Sequence, residues 1–271
     1  ATDKGSSTTH TETGLTADTE YTRYIWAYNT CGRSSSASLV ESTEGGCGGQ
    51  TTMTDSRDSK VYDIVEIGGM CWMAENLNYG TYVTIATGQG GAGTQKYCYS
   101  DNTANCTTYG GLYEWAEIMD GSSSCNGTGE SQPACSSPIQ GICPSGWHLP
   151  SHYEWVALEQ AICNDAVNGS CDTKFPYDVT TTGWRGTDEG QRLAGNESLW
   201  TNGTLDGNGT PPAHWDEHEY TALPGGISWS GSFSSVASYG YWWSATEYDS
   251  TNAWYRTLSS SLASVYRRNG D

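Results

Sequence analysis

Six of the ten cysteines fall in close pairs, and each pair brackets a loop rich in Gly, Asn, Ser or Asp: Cys98 with Cys106, Cys125 with Cys135, and Cys163 with Cys171. Closing a loop of about nine residues removes unfolded-chain entropy worth roughly 2.5 kcal/mol, so three such loops rival the net stability of an ordinary domain. Local pairing is therefore expected at all three. Cys71 with Cys143 and Cys31 with Cys47 are the expected longer-range bridges. So many cysteines suit an oxidising compartment, because cytosolic thiols are kept reduced. Cys-x-x-Cys spacing, the signature of a structural zinc site, does not occur.

Staples matter here because aliphatic residues are scarce. Only 35% of the 271 residues are hydrophobic, with two Phe against 12 Trp and 18 Tyr. Indole and phenol rings must then fill much of the interior, each with its N–H or O–H hydrogen-bonded. The formal charge of −19, from 31 acidic and 12 basic residues, repels phosphate backbones and anionic membrane surfaces. That argues against nucleic acid as a partner. No apolar run approaches the roughly 18 residues that a membrane span needs, so direct membrane insertion is not expected. Ala1-Thr-Asp-Lys-Gly5 has no basic region followed by an apolar one, so the chain reads as mature or partial, its export signal removed.

Along the chain, residues 1–46 alternate polar and apolar around Tyr21, Arg23 and Ile25 and again over Ala37 to Val40. They resemble the last two strands of a fibronectin type III module, with Tyr21, six residues after Leu15, as its corner tyrosine. Residues 47–51 are a Gly-rich linker. Residues 52–271 form the main domain. Within it Val61 to Ile67 alternates, Gly68-Gly69 turns, and Met70 to Met73 returns, a hairpin. Leu112, Trp115, Ala116 and Met119 predict one helix. Ser151 and Glu154 form a Ser-x-x-Glu capping box ahead of a second, whose buried face carries Trp155, Leu158 and Ile162. Residues 164–238 are mostly loop, and short strands follow near 240–245, 252–258 and 263–268.

Six motifs occur in order: Val61-Tyr-Asp-Ile64, Cys71-Trp-Met-Ala-Glu-Asn-Leu-Asn78, Tyr109-Gly-Gly-Leu-Tyr-Glu-Trp115, Cys143-Pro-Ser-Gly-Trp-His-Leu-Pro150, Ala222-Leu-Pro-Gly-Gly226 and Trp242-Trp-Ser-Ala-Thr-Glu-Tyr248. Over roughly residues 52–271 the chain resembles the Fibrobacter succinogenes major paralogous domain, a secreted bacterial module. The resemblance implies an α+β, C-type-lectin-like fold with two helices, short antiparallel strands and long disulfide-stapled loops. That fold is related to formylglycine-generating enzymes and to the variable proteins of diversity-generating retroelements. The family pattern continues into a closing strand with a Cys, a possible partner of Cys71 or Cys143, whereas this chain stops at Asp271.

Binding loops combine rigid aromatics with small polar residues. Tyr239, Tyr241, Tyr248, Asn252, Trp254, Tyr255, Tyr266 and Arg268 fit that description and are the expected binding surface, with Trp242 and Trp243 expected mostly in the core. Asn202, Asp206, Asn208 and Asp216 offer hard oxygen ligands suited to calcium, the one cofactor the sequence points to. Turn-forming Asn-Gly and Asp-Gly pairs account for the same residues without an ion. His148 with His152 and His214 with His218 stand four apart. Pro150 interrupts the first pair and no metalloprotease Glu accompanies the second, so both read as structural. Sequons at Asn126, Asn168, Asn196, Asn202 and Asn208 permit glycosylation without establishing it.

The expected function is non-catalytic: an extracellular or cell-surface prokaryotic protein that recognises a glycan or protein ligand, or mediates adhesion. The alternative is a structural subunit of a filament, pilus or sheath, in which copies of the chain complete one another's open strand edges. A lesser alternative is an enzyme related to formylglycine-generating proteins, although no cysteine here is marked as activated.

Overall fold

A computed structural model describes residues 20–42, 46–122, 138–165, 170–201, 205 and 215–270. The chain begins with β1 (Glu20–Ile25), the short hairpin β2 (Tyr28–Asn29) and β3 (Gly32–Arg33), and β4 (Ala37–Ser42). β1 and β4 pair antiparallel, with Tyr21 opposite Glu41. Tyr24, Ile25, Tyr28, Leu39 and Val40 are all exposed on this ribbon.

A three-stranded sheet follows, ordered β5 (Thr52–Thr54), β6 (Val61–Ile67), β7 (Met70–Met73). Gly68 and Gly69 both take positive φ, so the two-residue turn matches the twist of the strands it joins. Tyr62, Ile64 and Ile67 of β6 are buried while Val61 and Asp63 face out, the half-buried alternation expected of the hairpin. β8 (Thr81–Tyr82) pairs parallel with β9 (Gln95–Lys96), and α1 (Thr103–Tyr109) is capped by Asn102, whose side chain accepts from the Ala104 N–H. α2 (Trp115–Met119) is shorter than the apolar stripe suggested. Leu112 instead exchanges backbone hydrogen bonds with Tyr97, which holds it extended.

α3 (His152–Asp165) starts where the capping box places it. The Ser151 N–H donates to Glu154 Oε2 at 2.7 Å and the Glu154 N–H to Ser151 Oγ at 3.2 Å, so two otherwise orphaned donors are satisfied reciprocally. α4 (Cys171–Lys174), β10 (Gly183–Arg185) and α5 (Glu189–Leu193) punctuate the long segment expected as loop, before the hairpin β11 (Ile227–Trp229) and β12 (Ser232–Ser234). β13 (Tyr239–Glu247), β14 (Ala253–Ser259) and β15 (Leu262–Gly270) then build the main sheet, in the order β10-β15-β14-β13. The result is a mixed α/β chain of few helices and several small sheets.

The largest core cluster joins α3 to the sheets through Ile67, Trp72, Trp155, Leu158, Ile162, Leu193, Trp200, Leu258 and Val265. Four of its indoles are tied as expected for a core built on Trp: Trp72 Nε1–H donates to the Ile67 carbonyl, Trp155 to the Trp243 carbonyl, Trp200 to that of Gly195, and Trp242 to the Asn76 side chain, whereas the Trp215 Nε1–H is buried with no partner among the described residues. A second cluster, around Ile118, Met119, Ile142 and Ala245, covers one end of β13. Trp242 and Trp243 are half-buried and divide between the two clusters.

Three disulfides staple the described residues: Cys98–Cys106, Cys163–Cys171 and Cys47–Cys71. The first two are the local pairs the spacing suggested, while Cys125 and Cys135 lie outside the described residues. The longer-range expectations require correction. Cys47 bridges to Cys71, so neither Cys31–Cys47 nor Cys71–Cys143 forms. The chain at Gly46 runs directly against the Gly69–Cys71 backbone, and this brings the Cα atoms of Cys47 and Cys71 to 4.7 Å. Cys31 sits exposed in the β2–β3 turn, and Cys143 is a buried thiol.

A candidate recognition face on the main sheet

Side chains alternate across a strand, so register decides which aromatics meet. Trp243 stands opposite Tyr255 and Tyr241 opposite Thr257 between β13 and β14; Tyr255 faces Arg268 and Thr257 faces Tyr266 between β14 and β15; Trp184 of β10 faces Tyr266. All of these share one face of the sheet. The rings touch in sequence: Tyr239 to Tyr241 at 6.0 Å between centroids, Tyr241 to Tyr255 at 5.9 Å, and Trp243 to Tyr255 at 5.3 Å, with Trp184 on Tyr266 at 4.7 Å. Such offset and edge contacts fix the rings before any ligand arrives.

One end of this face is roofed by the second core cluster, where Trp243 Nε1–H donates to the Tyr113 carbonyl and Trp115 Nε1–H to that of Ser244. The remainder opens into a cleft of about 1870 Å³ lined by Tyr241, Trp243, Tyr255 and Arg268, with Trp229 at its rim. Tyr255 forms the floor at 8% exposed, Trp184 is 38% exposed, and Trp229, at the tip of the β11–β12 hairpin, is 65% exposed. Burial raises the Tyr241 phenol pKa, against a hydrogen bond to Ser235 that lowers it, so Tyr241 is a neutral donor at physiological pH.

Of the eight residues expected at a binding surface, Tyr239, Tyr241, Tyr255, Tyr266 and Arg268 come together here. Trp254 does not. It lies on the opposite face at 0% exposed, with its ring 4.5 Å from that of His152, and Tyr248 packs edge-on against it at 5.1 Å. Asn252 lines the cleft, but its side-chain amide is engaged with both carboxylate oxygens of Asp249, at 2.9 and 3.0 Å. The sequence reading missed Trp184 and Trp229. Each is a lone Trp in a segment without visible periodicity; the Ser230-Gly231 turn after Trp229 was the available signal.

The opposite face is closed by α3 and carries charge. Glu159, fully buried, accepts from Arg256 Nε and from Arg267 Nη2 at 2.8 Å, while Arg267 Nη1 reaches the Pro176 carbonyl at 2.6 Å. His152 lies beside them. Burial, reinforced by the fields of Arg256 and Arg267, pushes its pKa down to about 2. The neutral ring donates from Nε2 to the Asp178 carbonyl at 2.9 Å and accepts at Nδ1 from Arg256 Nη1 at 3.3 Å. His148 is held differently, with Nε2 2.8 Å from Glu154 Oε1.

Among the expected calcium ligands, Asn202, Asp206 and Asn208 lie outside the described residues, as does His214. Asp216 closes a turn, its carboxylate accepting from the Thr221 N–H at 2.8 Å and the Thr221 hydroxyl at 3.1 Å. Among the described residues, no three His, Cys, Asp or Glu side chains converge as a metal site. Cys143 sits where burial pushes its thiol up to about 12, so it is protonated at neutral pH and a poor nucleophile.

Fold and face together define a disulfide-stapled, mixed α/β domain organised around an antiparallel sheet with one aromatic side. The model of the Fibrobacter succinogenes major domain matches residues 65–270, and the chain belongs to that family. Neither a curated protein nor a solved structure matches it. Among the described residues no helix is long and apolar enough to cross a membrane.

Proposed function

We propose that this chain is a non-catalytic extracellular or cell-surface protein of C-type-lectin-like type whose aromatic sheet face recognises a glycan or protein ligand. The observation that carries this reading is the set of rings Tyr239, Tyr241, Tyr255 and Trp243, fixed by mutual contact, of which Tyr241, Tyr255 and Trp243 line a cleft. Rigid aromatics supply contact area with little entropy lost on binding. The disulfides support a non-reducing compartment. Binding of Tyr241→Ala and Trp184→Ala chains to arrayed glycans and cell-surface proteins tests it. Loss of binding without loss of folding is the expected result, and unchanged binding would remove the face from the reading. Repeating the measurement with a chelator tests the calcium proposal at Asn202, Asp206, Asn208 and Asp216.

A second reading, a subunit of an extracellular filament, has its own support. The β1–β4 ribbon, read as the end of a fibronectin type III-like module, exposes Tyr24, Ile25, Leu39 and Val40, and among the described residues its outer strand edges are unpaired. Sedimentation and electron microscopy decide between the two, since a monodisperse single chain eliminates the filament.

A further inference from the structure

Among the described residues, the carboxylates that line the cleft are Glu75, Glu114 and Glu154, against Arg268 and no lysine. Two of the three are satisfied within the chain. Glu154 lies 2.8 Å from His148 Nε2 and accepts from the Ser151 N–H at 2.7 Å, and Glu114 Oε1 accepts from the Tyr97 hydroxyl at 2.7 Å. Glu75, in the turn that follows β7, has no hydrogen bond and no ion pair among the described residues. Its Oε2 is shut off from solvent without a donor, while the side chain as a whole is half-buried, which leaves Oε1 as the oxygen open to the cleft. A carboxylate so placed has lost water on one side and received no hydrogen bond in exchange, a deficit that a donor carried by a ligand would fill. The backbone beneath it is fixed in advance. Asn76 donates from Nδ2 to the Tyr109 carbonyl at 2.8 Å and accepts at Oδ1 from Trp242 Nε1 at 2.9 Å, and a Cβ added at Gly110 would strike the Asn76 side chain.

We propose that Glu75 takes the ammonium group of a lysine side chain from a protein partner. This rests on the recognition reading above, whose cleft it shares, and names a ligand group for that cleft. One open oxygen suits an ammonium, a compact point charge, better than a guanidinium, whose fork needs both oxygens of a carboxylate. Met73 and Leu77, two residues to either side of Glu75, also line the cleft, and an apolar wall suits the four-carbon stem of lysine. An amino sugar would bring its ammonium on a ring of hydroxyls that such a wall leaves unpaired. The formal charge of −19 draws a cationic segment toward the chain before contact is made.

The test uses the full chain and four probes: a peptide with both ends capped and a single lysine, the same peptide with that lysine Nε-acetylated, the same peptide with arginine in its place, and a glucosamine oligomer. Wild-type protein binds the lysine peptide about tenfold more tightly than its acetylated form, which has lost the charge. Glu75→Gln, with the circular dichroism spectrum and urea midpoint used to verify folding, abolishes that preference without altering affinity for the acetylated peptide. Glu75→Asp, which keeps the charge and draws it back by one methylene, falls between them. Glu197→Gln removes the same charge from an exposed position off the cleft and leaves the preference intact, which separates local pairing from the field of the whole chain. Equal binding of the lysine and acetyl-lysine peptides overturns the assignment, and so does a preference that survives Glu75→Gln or that Glu197→Gln also removes. Tighter binding of the arginine peptide overturns it in favour of a guanidinium, and binding of the glucosamine oligomer alone in favour of an amino sugar. If no probe binds while Tyr241→Ala still loses ligands on the wider array, the Glu75 assignment fails and the recognition face stands. If Tyr241→Ala changes nothing there either, the recognition reading itself fails.

Discussion

Arg256 and Arg267 stand directly opposite one another on β14 and β15, and the carboxylate of Glu159, delivered by α3, bridges both guanidinium groups. Like charges facing across a sheet destabilise it unless something lies between them. Glu159 therefore couples helix and sheet through a buried carboxylate. Removing it leaves two buried cations with one carboxylate fewer. Glu159→Gln is expected to cost about 3–5 kcal/mol in urea denaturation. A loss under about 1 kcal/mol would show that the cluster is hydrated and the coupling weak.

His152 gives the same cluster a pH dependence. The groups facing it are the Arg256 and Arg267 guanidiniums, the Asp178 carbonyl and the rings of Trp254 and Tyr177. Its folded pKa of about 2 lies below the ordinary 6.5, so below pH 6.5 the unfolded chain binds a proton that the folded chain refuses. Stability then falls as pH falls, at up to about 1.4 kcal/mol per pH unit. Denaturation of wild type and His152→Gln between pH 7 and pH 4 checks this. The variant is less stable at pH 7, and its slope is shallower by one proton's worth; parallel slopes would contradict the assignment.

His148 runs the other way. The Glu154 carboxylate raises its pKa against the opposing effect of burial, so its contribution is complete below 6.5 and fades as pH rises through the higher folded value. His148→Gln should remove a shallow loss of stability between pH 6.5 and the higher folded value, and because the imidazole is partly exposed the effect is small.

Local chemistry was legible in the sequence wherever a few adjacent residues decide the outcome. The Gly68-Gly69 hairpin, the Ser151 and Glu154 capping box and the Cys98–Cys106 and Cys163–Cys171 staples are cases in point. What failed needed tertiary information. Trp254 and Tyr255 are neighbours on one strand, so one had to face each way, and only the packing of α3 shows which side is closed. α5 consists of five residues, all buried, and is held against β15 rather than by its own propensity. Cys47 meets Cys71 because the linker doubles back on the β6–β7 hairpin, and linker composition carries no such direction.

The staples are also testable one by one. Non-reducing peptide mapping should recover Cys47 joined to Cys71, and Cys143 should resist alkylation until the chain is unfolded, since it is buried and protonated. Replacing Cys98 and Cys106 together by Ser should cost about 2.5 kcal/mol from loop-closure entropy. Recovery of a Cys71–Cys143 peptide would overturn the linker path at Gly46.

Two tryptophans separate burial from hydrogen bonding. Trp200 and Trp254 are both almost wholly buried, at 3% and 0% exposed. Trp200 Nε1–H donates to the Gly195 carbonyl at 3.1 Å, whereas the Trp254 Nε1–H has no partner among the described residues. Replacing either by Phe sacrifices comparable packing. At Trp200 it also leaves a buried carbonyl short of a donor, while at Trp254 it removes a donor that was already unmatched. Trp200→Phe should therefore cost more than Trp254→Phe by about 1–3 kcal/mol, despite the greater burial of Trp254. Equal losses in chemical denaturation would mean that area alone governs these sites and that a core built on indoles draws little from its hydrogen bonds.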